Sequence, residues 1–432
     1  MATQPQPSLR EGLRCLVSNA RRSADKRGCQ RLQPGAEQLA TARMQLTPRM
    51  AATVAVSSLL SSLAVAAPSS AVEREIVALE PTLSALLELS TNGAEKGASY
   101  NRTADFCDRW GHRISGSQNL EDAIDSLAPM LRAEGLANVH YEPAMVPHWV
   151  RGEESLVMLS PRVGGRQVTL SFTSLGGSVG TNGRPIVATT VVVSDWAELI
   201  ARRNEVPGRI VVFAVEWEGY TKTQAYRSLG ATIAAKFGAV ASLMRSAGPF
   251  SINSPHTGSM TYIQDRLSAI PPTMTDLYEP LAKLLDSDLS ALSLVGVPKI
   301  PHAALSVEDA MMLKRMHRRY LLDPTAHQDI ELQLMMEAEN FEEVESRNTV
   351  AEIRGSELPD EIVLVSGHID SWDIGQGAMD DAGPAFVALQ ALVLMKRLNL
   401  RPKRTVRWVG WTTEEVSLSL SLSLSLSLSL SL

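Results

Sequence analysis

Two short stretches toward the end of this 432-residue chain collect side chains able to hold a cation and move a proton. The first carries His368 and Asp370 and, one Gly-containing loop later, the pair Asp380-Asp381; the second ends in Glu414-Glu415. Imidazole nitrogen together with carboxylate oxygen suits a borderline divalent cation such as zinc. His368 can offer one ring nitrogen while a carboxylate holds the other, and Asp370 is the candidate for that second contact. Asp380 has two oxygens and can bridge a pair of ions, which in cocatalytic sites stand roughly 3.5–4 Å apart and together activate water and polarise a carbonyl. Neighbouring strand residues point to opposite faces, so of Glu414 and Glu415 one can ligate while the other takes a proton from water. Each motif also has a plainer reading. A single strand-end His is commonly a packing residue, Asp-Asp before a helix is an N-cap, and a Glu pair is a solvated one. It is their placement on one strand, helix and strand that points to chemistry.

The positioning elements are legible around them. From Glu361 the unbroken apolar run Ile362-Val363-Leu364-Val365 leads to Gly367-His368, the pattern of a fully buried parallel strand. Gly383 to Leu398 reads as a helix, Arg401-Pro402 breaks it, and Thr405 to Trp411 reads as the next strand. That order predicts a doubly wound α/β sheet, with reactive groups gathered beyond the carboxyl ends of its strands. Upstream, apolar residues recur at helical spacing from Val72 to Leu89 and from Leu120 to Leu131. Between Gly152 and Leu332, β-branched runs such as Val187 to Val193 and Arg209 to Phe213 alternate with helical stretches, which predicts a separate α/β module. A Pro-punctuated amphipathic passage, Arg266 to Leu294, interrupts that rhythm, and Glu337 to Glu345 reads as a solvated connection.

An apolar content of 44 % with a net charge of -6 describes a globular chain and argues against nucleic acid as a partner, because binding a phosphate backbone needs a concentrated basic face. Residues 1–43 are rich in Arg and read as a leader of doubtful coding status. Residues 44–67 read as a signal peptide: a flank with Arg49, an apolar run from Ala51 to Ala67, and Ala64-Val65-Ala66 as the cleavage signal. A mitochondrial presequence leaves that run unexplained, and the run is too short and Ser-rich for a stable membrane anchor. The expected location is therefore the secretory pathway. Cleavage near Ala66 leaves Cys107 without an internal disulfide partner, since the other cysteines are Cys15 and Cys29. Ser417 to Leu432 repeats Ser-Leu and is low complexity.

Ser366-Gly-His-Ile-Asp-Ser-Trp-Asp-Ile-Gly-Gln-Gly-Ala-Met-Asp-Asp381, followed by Arg401-Pro-Lys-Arg-Thr and Trp411-Thr-Thr-Glu-Glu415, resembles the carboxypeptidase Q family of zinc-dependent exopeptidases. Arg113-Ile-Ser-Gly-Ser-Gln-Asn-Leu-Glu121, Pro147-His-Trp-Val-Arg-Gly-Glu-Glu-Ser155 and Ser251-Ile-Asn-Ser-Pro-His-Thr-Gly258 extend the resemblance from about Glu73 to Glu415. It implies a doubly wound zinc-exopeptidase sheet with an inserted protease-associated-type α/β domain. The expected divisions are 72–150 for the N-terminal helical part, 151–332 for the insert, 345–415 for the metal-binding part of the core and 416–432 for the tail. The resemblance further implies that His368, Asp380 and Glu415 are metal ligands with Asp380 bridging, that Glu414 is the general base, and that Asp370 orients His368. Two zinc ions, a homodimer, and hydrolysis of dipeptides or short peptides in secreted or lysosomal compartments are implied as well.

The sequence departs from that family in three places. The family needs a further Asp and a further His downstream of the paired Glu, whereas no Asp follows Asp381 and no His follows His368. The expectation is a second zinc position held by Asp380 alone, an incomplete sheet with exposed apolar strands, and impaired catalysis. Arg266 to Leu294 replaces a short link in the family, and Ala382-Gly383-Pro384 stands where the family runs through glycines. Three functions stay open: a carboxypeptidase or dipeptidase, an aminopeptidase on the same core, or a catalytically inactive chain whose inserted domain serves as an interaction module.

Overall fold

The computed structural model describes residues 71–262 and 296–416. The expected leader, signal peptide, Arg266 to Leu294 passage and Ser-Leu tail from Ser417 lie outside the described residues. Three helices come first: α1 (Ala71–Thr91), α2 (Ala98–Trp110) and α3 (Gln118–Ala133). The Ser117 side chain caps α3 by accepting the Leu120 N–H. Helical spacing then puts Leu120, Ile124, Leu127 and Leu131 on one buried stripe. In α1 the apolar stripe is not covered in the same way, and Leu79 remains 51 % exposed.

The strands form two principal sheets. One has the order β1 (Ala137–Val146), β12 (Val344–Ile353), β14 (Arg404–Trp411), β13 (Leu358–His368), with β13 parallel to β14 and the other neighbours antiparallel. Between β13 and β14 runs α7 (Gly383–Arg397), whose Phe386, Leu389 and Val393 are buried against Phe106 of α2, Leu127 of α3 and Trp408 of β14. The Trp408 indole, itself fully buried, donates to the carbonyl of Ala385 at 3.0 Å, so its polar edge is satisfied where its ring fills the core.

The other sheet has eight strands. In chain order they are β3 (Glu154–Val163), β4 (Arg166–Thr169), β5 (Phe172–Ser174), β6 (Ile186–Val193), β7 (Ile210–Phe213), β8 (Ala241–Arg245), β9 (His302–Leu305) and β10 (Glu331–Met336). Spatially they run β4-β3-β10-β6-β7-β8-β9-β5, with β6 through β9 parallel. Helices α4 (Trp196–Ala201), α5 (Tyr220–Lys236) and α6 (Val307–Leu322) connect or follow those parallel strands. Every residue of β7 is buried, as expected of a strand covered on both faces. A two-residue ladder, β2 (Trp149–Val150) with β11 (Glu339–Asn340), lies between the sheets in sequence.

Three expectations change. The strand through Ile362-Val363-Leu364-Val365 forms and runs parallel to its neighbour, but among the described residues it lies at the sheet edge rather than fully buried: Val363 is 45 % and Leu364 43 % exposed. Glu337 to Glu345 is not merely a solvated connection, because Glu339-Asn340 pairs in β11 and Val344 begins β12. The region up to 150 is not only helical, since it contributes β1, whose polar text (Asn138, His140, Glu142) hides a strand held by its antiparallel partner β12.

Candidate metal centre

His368 ends β13 opposite Trp411, the last residue of β14, so both strands release their following residues at the same sheet edge. Beyond β13 comes Asp370, with a fully buried side chain. Its Oδ1 lies 3.2 Å from His368 Nδ1, and its main-chain oxygen lies 3.0 Å from the same nitrogen. The Asp370 carboxylate also accepts the backbone N–H groups of Glu414, at 3.0 and 3.1 Å, and of Glu415, at 3.0 Å. One buried anion thereby fixes the imidazole and the turn after β14 together.

The far nitrogen, Nε2 of His368, faces Asp380 Oδ1 at 3.0 Å and Glu414 Oε2 at 3.9 Å. Asp381 turns the other way and accepts the His368 backbone N–H at 3.1 Å. This packing requires Gly367: a Cβ there would stand 2.6 Å from Asp381 Oδ2 and 2.7 Å from Ala385 Cα. His368, Asp380 and Asp381 each present a ligand atom within 4.8 Å of the others, a partial zinc-binding cluster. Asp381, which the sequence reading left without a role, thus enters the group, while Glu415 stands outside it.

The electrostatics favour binding of a cation. Burial pushes the carboxyl groups of Asp381 and Glu414 above the ordinary range, and that of Glu415 up to about 8, with the surrounding carboxylates adding to it. Burial works against the protonated form of His368, yet the hydrogen bond and charge of Asp370, with Glu415 and Glu414, push its pKa up to about 10. Carboxylates crowded around an imidazole repel one another and are stabilised by a divalent cation. The donor set of one imidazole and several carboxylates is compatible with zinc.

Two arginines hold the loop between His368 and Asp380. Arg113, fully buried, donates to the carbonyls of Ile369 (2.7 Å), Gly111 (2.6 Å), Gln376 (2.8 Å) and Gly377 (3.2 Å), and exchanges two hydrogen bonds with Ser371. Arg151 forms a two-bonded pair with Asp373, at 2.8 and 2.6 Å, while also reaching Thr173 and Ser174 of β5 in the eight-stranded sheet. Neither role was visible in the sequence, although both residues fall in the motifs that carry the family resemblance.

The cluster opens on a cavity of about 1200 Å³. One wall is the metal cluster with Trp372, Trp411 and Glu414; the opposite wall comes from the eight-stranded module and includes Tyr220, Arg227, His256 and Gly258. Of the other histidines, His302 is buried within the eight-stranded sheet, His148 stacks on Phe341, and His140 bonds to the carbonyl of Asn138. His256 alone among these four lines the cavity.

Residues 348–425 match the model of Peptidase family M28. The chain is 44 % identical over 344 residues to carboxypeptidase Q of Homo sapiens, and equally to that of Mus musculus, covering 80 % of this chain and 64 % of each relative. It therefore spans somewhat less than two thirds of the length of the curated relatives it matches. A solved structure, a Peptidase M28 precursor from Shewanella amazonensis SB2B, superposes with a TM-score of 0.63 at 27 % identity, over 79 % of this chain and 68 % of that one. By sequence this chain is similar to carboxypeptidase Q, and its α/β fold is like that of the M28 peptidase structure.

Proposed function

We propose that this carboxypeptidase Q-like chain carries the centre of a zinc-dependent exopeptidase acting on dipeptides or short peptides. The observation behind the proposal is the convergence of His368, Asp380 and Asp381 within 4.8 Å on the wall of a peptide-sized cavity. Zinc, when bound, supplies Lewis acidity toward water and the scissile carbonyl. His368 and Asp380 would hold it, and the family resemblance assigns Asp380 as a bridging ligand and Glu415 as a further one. Glu414 is the proton acceptor: its carboxylate lies beside His368 Nε2 and is 63 % exposed, within reach of water in the cavity. Asp370 keeps the His368 ring turned so that Nε2 faces the cluster.

The remaining ligands of the second ion, an Asp and a His in the family, have no counterpart after Asp381 in this sequence. The eight-stranded module is read as the protease-associated-type domain, and a homodimer in the secretory pathway is the expected setting. The test is zinc content of the purified chain together with hydrolysis of a dipeptide with free termini. At least one tightly held zinc, with any hydrolysis abolished in Glu414→Gln, supports the enzyme; no zinc at all sinks it and leaves the interaction-module reading.

A further inference from the structure

On the cavity wall opposite the metal cluster stands a buried cation with spare donors. Arg227, on α5, is 6 % exposed, and among the described residues no carboxylate pairs with it. One Nη donates to the Thr257 carbonyl at 3.2 Å and the other to the Tyr220 hydroxyl at 2.9 Å, while the buried Nε meets no acceptor. The other two buried arginines near the site are treated differently: Arg151 has Asp373, and Arg113 has four carbonyls. An unpaired buried guanidinium is costly unless an anion completes it. The backbone has made room for this one, since a Cβ on Gly258 would lie 2.0 Å from Arg227 Nη1. Arg227 and His256 line the same cavity as Asp380, so the guanidinium and the cluster face one shared space.

We infer that Arg227, assisted by Tyr220, binds the free C-terminal carboxylate of the peptide whose scissile bond reaches the metal cluster. The inference rests on the proposed exopeptidase reading and decides its direction. A guanidinium fork matches a carboxylate through two parallel hydrogen bonds and repels the ammonium of a free N-terminus. A carboxylate seated there fixes the chain end, so the wall selects carboxypeptidase over aminopeptidase geometry.

The experiment is equilibrium binding of one dipeptide and of its C-terminal amide to zinc-loaded Glu414→Gln protein, in which turnover is blocked. The free acid is expected to bind at least about tenfold tighter than the amide, the size of a charged hydrogen-bond pair. In Arg227→Gln the acid falls to the affinity of the amide, which itself is unchanged; Arg227→Lys, which keeps the charge but loses the fork, retains part of the preference. No acid preference in the Arg227 protein, or the same preference in Arg227→Gln, overturns the inference. The first comparison needs no change at Arg227 and so stands even where a variant fails to fold. Zinc content measured on the same samples separates failure of this inference from failure of the enzymatic reading.

Discussion

Asp370 Oδ2 accepts the backbone N–H of Glu415 at 3.0 Å, which ties the residue two past the end of β13 to the turn that follows β14. The same carboxylate holds the imidazole, so geometry at the metal cluster is set by a group that need not touch the ion. Asp370→Ala would leave the N–H groups of Glu414 and Glu415 without their acceptor and the His368 ring free to turn. The expected result is a loss of about 1–3 kcal/mol of stability and roughly 10- to 100-fold weaker zinc binding, checked by denaturant melts and chelator competition.

Arg113→Met removes the donors that hold the carbonyls of Ile369, Gln376 and Gly377. Several buried acceptors lose their partners at once, so the predicted cost is at least about 3 kcal/mol. Hydrogen exchange in residues 369–377 should rise more than exchange in α5, and equal protection in the two segments would contradict the assignment.

Gly367→Ala places a methyl against Asp381 and the backbone of α7, neither of which can retreat freely. Overpacking of this kind costs about 1–3 kcal/mol. Zinc content per folded chain should fall together with the melting temperature, whereas Gly164→Ala, at an uncrowded turn, should leave zinc content unchanged.

Acid should destabilise the eight-stranded module through two histidines away from the metal site. Burial pulls His302 and His317 down to about 4, and for His317 the Arg202 guanidinium adds to it, its Nη2 lying 2.9 Å from Nε2. The folded pKa is lower than the unfolded one, so the unfolded chain binds more protons between about pH 6.5 and 4. The stabilisation is complete above about pH 6.5 and is lost as pH falls toward 4, by up to about 1.4 kcal/mol per pH unit for each group. Chemical melts across that range should show the slope, and His317→Gln should reduce it by about half, leaving the His302 contribution.

Periodicity made α3 and α7 legible, because their apolar stripes face one core and the 3.6-residue repeat survives in the text. The strand leading to His368 was legible as well, but its burial was not: exposure depends on what lies beside β13, and a run such as Ile362 to Val365 reads alike at an edge and in the middle. β1 escaped because Asn138, His140 and Glu142 break up its apolar pattern and its pairing lies about two hundred residues away in β12. The candidate ligands His368 and Asp380 stood out by type and spacing. Arg113, Arg151 and Arg227 did not, since an arginine that holds a loop or lines a cavity is indistinguishable in sequence from one in solvent.

The pairing of Arg151 with Asp373 bears on how wide the cavity can open. Asp373 belongs to the loop that carries the metal ligands, and the Thr173 and Ser174 groups that Arg151 also holds belong to the facing sheet. Swinging the two walls apart would have to break a desolvated, two-bonded ion pair first, so the spacing between Arg227 and the His368 cluster is held by a contact that touches neither.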